Sequence, residues 1–288
     1  MGNVFEQLAE LPQEQAFDAM GKVQEDDLPL LAASLMVARD EYPELDATAI
    51  EQLAQSYATR AQTLGASAEA PMAAMRVLNT LLFEELGFTG NTGDYYDPRN
   101  SYVNDVFERK LGIPISLAVI QLDLARRLGL PLEGVSFPGH FLVRLPVDGG
   151  LLVLDPFHKG RSLDADELKQ RARPHFGNAE IRDDQLGTLL APVGTKTILG
   201  RMLRNLKSVY AEREDLERAL RCSDRLIRLD PTEAPEWRDR GQFYLKVGHL
   251  AAARADFAHY LELSPDAADA DQVRQSLIQA STATVRLN

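Results

Sequence analysis

Two residues in the stretch FPGHFLVRLPVDGGLLVLDPFHKG (137–160) have the chemistry of a catalytic pair: His140, which ends a turn, and Asp155, which ends an apolar run. A carboxylate beside an imidazole fixes its tautomer and orientation, as a histidine general base requires. Whether the two meet depends on the turn between them. VDGG is a turn-former. A two-residue Asp148-Gly149 turn, or a four-residue turn from Val147 to Gly150, sets Asp155 opposite Leu142 and diagonal to His140 on one face. Their backbones are then about 7–8 Å apart, within reach of both side chains. A three-residue loop would slip the register by one and send them to opposite faces.

Such a base serves a nucleophile, and helix N-termini favour ionised ones through the macrodipole. The first helical turn after Gly112 offers Pro114 and Ser116, and no thiol. Each candidate also has an ordinary use. Ser116 suits a capping hydroxyl, His140 a single hydrogen bond near a strand start, Asp155 the cap of an Asp-Pro turn, and His158 a loop position. Cys222 is the only cysteine, which rules out an internal disulfide, and no Cys/His spacing points to zinc. We therefore expect no metal, no other cofactor and a reducing compartment.

A net charge of −12 without a basic cluster argues against a general nucleic-acid binder, because phosphates require a basic face. No apolar run reaches the roughly eighteen residues that a membrane span needs. The start MGNVFEQLAE has neither a basic region nor an apolar signal core, and Glu6 stands where a myristoylation signal would have Ser or Thr. The expectation is a cytoplasmic protein with no membrane contact.

The elements that must position these residues follow from periodicity. From Val4 to about Gly87 apolar groups recur at helical spacing, as in LPLLAASLMVARDEY (28–42). Within EYPELD (41–46) one helix ends, and Asp46 or Thr48 caps the next. Turn residues then crowd GFTGNTGDYYDPRNS (87–101). After Gly112, Pro114 suits a first helical turn, and PISLAVIQLDLARRL runs to a stop at Gly129 with Pro131 beyond. Being apolar on most sides, this helix is expected to be central and buried. Val135–Leu145 and Leu151–Leu154 read as the two strands of the hairpin.

Gly200–Glu233 aligns without a gap on Ala234–Ala267, each 34 residues long. Leu203 falls over Trp237, Tyr210 over Tyr244, Ala219 over Ala253, Leu226 over Tyr260 and Pro231 over Pro265. Period and residue types resemble the tetratricopeptide repeat. Gly241 and Gly248 fit the second copy, whereas Lys207 and Glu214 replace those glycines in the first. Asp269–Thr282 would be a capping helix.

Gly112-Ile113-Pro114, the apolar helix ending LARRLGLP, the strand around His140 and the later LDPF resemble the transglutaminase-like superfamily. Its papain-like core places Cys at a helix start, His on one strand and Asp on the next. More closely, DPRNSYVNDVFERKLGIPISL, FPGHFLVR and LDPFHKG are similar to the bacterial YchA-like (SirB-type) group. That group joins a helical N-terminal region, this core and tetratricopeptide repeats. The resemblance covers nearly the whole chain. It implies that Asn100, Ser101, Asn104, Pro114 and His158 line a cleft beside Ser116, His140 and Asp155. It also implies a thiol two residues after Gly112, where this chain has Pro114, with Ser116 two positions further on.

The expected fold is therefore α+β. A helical N-terminal domain (1–90) precedes a transglutaminase-like core (91–195) with a central helix and a small antiparallel sheet, and repeats with a capping helix (196–288) close the chain. Without the superfamily's thiol, the preferred function is a non-catalytic adaptor that binds a protein or peptide through its core cleft and repeats. The alternatives are a Ser-His-Asp hydrolase or acyltransferase acting on an amide or ester, and a structural scaffold.

Overall fold

Proline suits a first helical turn because its missing N–H would have no partner there. Pro114 opens the helix Pro114–Arg127, and every residue from Pro114 to Ala125 is buried. The computed structural model describes residue 8, residues 10–177 and residues 179–285. The start of the chain with Glu6 lies outside the described residues. The described residues fall into two units, one within residues 24–202 and the other within residues 8–23 and 203–285.

The buried helix is the axis of the first unit. The helix Leu30–Ala38, buried at every residue, packs on it, as do Ala47–Thr63 and Val103–Arg109. Asp46 caps Ala47–Thr63 by accepting the Ala49 N–H at 3.0 Å. The helices of residues 30–79 thus share a unit with the core.

Two short parallel strands, β1 (Thr89–Gly90) and β2 (Leu111–Gly112), lead into the helix. An antiparallel sheet follows, with β3 (Glu133–Val135), β4 (Leu142–Val147), β5 (Gly150–Asp155) and β6 (Arg161–Leu163) adjacent in chain order. Val147 pairs with Gly150 and Val143 with Leu154, so the hairpin closes through the two-residue turn Asp148-Gly149, with Gly149 at φ 79°. In this register Asp155 falls on the face of Leu142 and Val153. That face, with Val135 and Leu163, packs against Leu168 and Ala172 of the helix Ala165–Ala172 and Leu186 of Asp183–Leu189. On the opposite face, Gly134 lets Leu122 of the central helix approach to where a Cβ would stand 3.4 Å away.

The strand expected over Val135–Leu145 is broken at residues 136–141. Pro138 cannot donate to a ladder, Gly139 takes φ 65°, and the His140 N–H turns back to Phe137 O at 3.1 Å. His140 therefore sits in a tight turn just ahead of β4.

In the second unit, the helix pairs Thr195–Glu212 with Leu216–Leu229 and Ala234–Lys246 with Leu250–Leu263 follow the repeat period, and Ala270–Val285 caps them. The first of these helices begins in the first unit and ends in the second. Gln13–Lys22 packs on Leu216–Leu229. Gly241 lies so close to Phe257 that a Cβ would meet the ring at 2.7 Å. One period earlier the sizes are exchanged: Lys207 replaces the glycine and Ser223 the phenylalanine. The buried Lys207 ammonium donates to Glu236 at 2.5 Å and Asp239 at 2.7 Å. Glu214 holds φ 60° where the second repeat has Gly248 at φ 82°.

The fold is α+β, and no helix among the described residues is long and apolar enough to cross a membrane. Gly241→Ala is expected to destabilise the repeat unit by about 1–3 kcal/mol through overpacking against Phe257. Glu214→Gly is expected to stabilise it by up to about 1 kcal/mol by relieving the left-handed backbone. Urea unfolding followed by the fluorescence of Trp237, the only tryptophan, checks both.

Candidate functional site

Asp155 has no exposed surface, and its carboxylate accepts four hydrogen bonds. Oδ1 accepts from His140 Nε2 at 2.8 Å and from the Phe157 N–H at 3.1 Å. Oδ2 accepts from His158 Nδ1 at 2.8 Å and from Arg171 Nη1 at 2.9 Å. Burial alone would raise the Asp155 pKa. The hydrogen bond and charge of His140, with the bonds from Arg171 and His158, outweigh burial and hold the carboxyl well below the usual range.

An ionised carboxylate only accepts, so His140 must carry its proton on Nε2. Its other nitrogen, Nδ1, has no hydrogen-bond partner among the described residues and remains the basic one in the neutral ring. The ring is held edge-on to Phe157, centroids 6.2 Å apart, and lies 6.3 Å from the His158 ring. Phe157 in turn rests on Gly90, where a Cβ would clash with its ring. The turn that follows is tied by the Gly160 N–H to Asp155 O at 2.8 Å and by Asn79 Nδ2 to Gly160 O at 3.2 Å.

Ser116 does not join this pair. Its side chain is fully buried, and its hydroxyl lies 2.6 Å from Asn100 O and 3.1 Å from Ile113 O, the carbonyls open to it as donor. The same oxygen accepts the Ile113 N–H at 3.1 Å. This is an N-terminal cap, in which a third-position side chain reaches back to the residue before the helix. Gly112 permits it, since a Cβ there would stand 2.8 Å from Ser116 Oγ. Among the described residues no hydrogen bond links Ser116 to His140.

The other expected cleft residues separate. Asn100 is fully buried, and its amide donates to Asp94 O at 2.7 Å and Tyr95 O at 3.1 Å while accepting from Asn91 Nδ2 at 3.0 Å. Asn100 therefore braces the 94–101 loop, and both Asn100 and Ser101 are buried. Pro114 is buried, Asn104 is half-buried with Oδ1 unpaired, and His158 is exposed. Beside the exposed His158, the open surface near His140 comes from residues that the sequence reading passed over. Tyr95 lies 5.8 Å from Phe157 and 5.3 Å from the exposed Tyr96, ring centre to ring centre. Arg171 was also missed: it lies sixteen positions beyond Asp155, on a helix that only the fold brings back. The double tyrosine of GDYYDP, aromatic residues inside a turn-rich loop, was the one available signal. A cavity of about 600 Å³ lies at the far end of the central helix, lined by Asp123, Arg126, Glu133 and Thr195, and none of the candidate residues borders it.

His140, Asp155 and His158 place ligand-type atoms within 4.8 Å of one another. Direct hydrogen bonds account for that spacing. Arg171 already occupies Oδ2, so a cation there would face a guanidinium across one oxygen.

The sequence model of the transglutaminase-like superfamily matches residues 47–204, and that of the tetratricopeptide repeat matches residues 206–277. A UPF0162 protein of Xylella fastidiosa (strain 9a5c) is 50% identical over 271 residues, which is 94% of this chain and 96% of that protein. F-box only protein 21 of Homo sapiens is 36% identical over 150 residues, 49% of this chain and 22% of that protein. Protein SirB1 of Salmonella typhimurium is 28% identical over 201 residues, 69% and 73% of the two chains.

Asp155 has a lower pKa folded than unfolded, so its ionised form contributes fully above the unfolded value of about 4 and progressively less as pH falls below it. Asp155→Asn is expected to be about 3 kcal/mol less stable than wild type near pH 7, because it uncouples buried charge partners. The gap should narrow near pH 3. Urea unfolding at both pH values measures it.

Proposed function

The chain belongs to the transglutaminase-like superfamily, in the group that its relatives name UPF0162, and from that premise we propose that it is a non-catalytic binding adaptor. In this reading the surface of His140, Phe157, His158 and Tyr95 receives a segment of a protein or peptide. In this division residues 91–195 supply that surface, residues 1–90 are the helical N-terminal domain, and residues 196–288 add the repeats. Tetratricopeptide repeats generally mediate protein interactions, which supports a protein partner. A reducing, cytoplasmic setting fits the single buried Cys222.

One observation carries the reading: among the described residues no nucleophile is hydrogen-bonded to His140. The resemblance puts the superfamily's thiol at Pro114 or Ser116, neither of which is a thiol, and the Ser116 hydroxyl is engaged by Asn100 O and Ile113. A serine hydroxyl has a far higher pKa than a thiol, so it acts only when a base takes its proton directly. What His140 retains is an oriented, amphipathic ring that can accept a hydrogen bond from a bound chain through Nδ1. Phe157 and Tyr95 supply apolar contact beside it.

A second reading rests on the intact His140–Asp155 bond at 2.8 Å. In it Ser116 leaves its cap, transfers its proton to His140 and attacks an amide or ester. The cap would have to break, leaving the Ile113 N–H only its longer bond of 3.3 Å to Asn100 O inside the core.

Both readings are separated by one set of measurements on the full chain. We expect no labelling by a fluorophosphonate probe. Peptides selected from a display library are expected to bind without cleavage, and Phe157→Ala to weaken them about tenfold or more, the loss of one buried aromatic anchor. Labelling at Ser116, or peptide turnover abolished by Ser116→Ala, would replace the adaptor with the enzyme.

A further inference from the structure

Arginines of the first unit repeatedly meet a carboxylate: Arg109 with Asp97, Arg127 with Asp123, Arg144 with Glu133 and Arg171 with Asp155. Arg201 does not. It is half-buried, and among the described residues no carboxylate lies within ion-pair distance of it. Its Nη1 donates to Ser136 Oγ at 2.7 Å and to Phe137 O at 2.9 Å, which accounts for both hydrogens of that nitrogen. The guanidinium carbon stands 5.7 Å from the centre of the buried Phe141 ring. Nε and Nη2 have no partner among the described residues, and neither is sealed from solvent. Together they form the edge of the guanidinium that offers two parallel N–H donors.

The position of this edge follows from its neighbours. Phe137 O accepts from both Arg201 Nη1 and the His140 N–H, so the arginine braces the turn that carries His140. Tyr95, which borders Phe157, interacts electrostatically with Arg201. Burial lowers the Arg201 pKa, as expected for a cation with only neutral partners, yet arginine stays protonated. A positive charge is thus held beside the His140 surface in a chain of net charge −12. A structural brace would need only Nη1.

We propose that Arg201 is the anion-recognition residue of this surface, and that its Nε and Nη2 receive a carboxylate of the bound chain, either a peptide C-terminus or an Asp or Glu side chain. The proposal rests on the adaptor reading for its ligand and not for its geometry. No covalent step is involved. Ser136 and Phe141 act as positioning residues, the first by accepting from Nη1 and the second by carrying the guanidinium plane.

The test uses the full chain labelled with ¹⁵N, following the Arg201 Nε–H resonance during titration with N-acetylglycine and with its neutral amide. A shift with the acid alone is expected. Three versions of one display-selected peptide are then compared by fluorescence anisotropy: free C-terminus, amidated C-terminus, and amidated with an internal Glu. Wild type should prefer one carboxylate form by about tenfold or more, and Arg201→Met should erase that preference. Which form wins identifies the source of the carboxylate. Arg201→Lys, which keeps charge and stem but loses the two-donor edge, should fall between them. If peptides bind equally in all three versions and the Arg201 resonance ignores N-acetylglycine, the proposal fails while the adaptor reading stands. If N-acetylglycine shifts the resonance but no peptide binds, the carboxylate site stands and the adaptor reading fails.

Discussion

The Asp155 carboxylate is the constraint on which the first unit's functional surface depends. A fully buried charge is tolerated only when paired and hydrogen-bonded, and this one is satisfied by the turn carrying His140, by its own following turn and by the helix Ala165–Ala172. Misplacing any of these three segments would leave the charge short of a donor in a low-dielectric site. The network therefore holds the segments in one arrangement and sets the direction of the His140 ring. Phe157 follows, because its N–H is one of the donors and its ring lies over Gly90, where a Cβ would clash with it.

At the other side of the site the first turn of the central helix has been put to structural use. A helix N-terminus leaves backbone N–H groups without partners, and a side chain that satisfies them contributes about 1 kcal/mol. Ser116 does this for Ile113 and also ties the helix start to the 94–101 loop through Asn100 O. Asn100 holds that loop's carbonyls with its amide. A hydroxyl in this position stabilises two segments at once, and for that reason it is a poor candidate for attack. The partial positive charge of the helix end is still present, but no ionisable nucleophile stands in its first turn.

What was legible in the sequence was what repeats or what is local. The Asp148-Gly149 turn fixes the hairpin register by chemistry confined to four residues, and the 34-residue period needs no tertiary information. The central helix carries its own start and stop in Pro114 and Gly129. Legibility ended where a neighbour comes from a distant segment. Nothing near Arg171 says that it will meet Asp155, and nothing near Arg201 distinguishes it from the paired arginines. The 136–141 turn was half visible: His140 was read as ending a turn, but the apolar residues around it carried the strand through. Lys207 looked like a degenerate repeat until its partner position, Ser223, is considered. The larger residue of the pair stands on the other helix, and its ammonium is held by Glu236 and Asp239.

Arg171 and Arg201 flank the same turn region with opposite electrostatics, and the contrast bears on what the surface is for. Arg171 neutralises an anion that the fold itself buries, so its charge is closed within the molecule. Arg201 is only partly balanced, by a hydroxyl, a carbonyl and an aromatic face. Partial desolvation of a guanidinium without a counter-charge is unfavourable, and an apolar residue such as methionine could fill the space over Phe141 without that penalty. Bracing the Phe137 carbonyl recovers part of it, since hydrogen bonds from charged donors are stronger than neutral ones. The two-donor edge that remains has no partner among the described residues. An incoming carboxylate would complete for Arg201 what Asp155 already provides for Arg171, and the sign of that preference is opposite to the one the overall negative charge would impose.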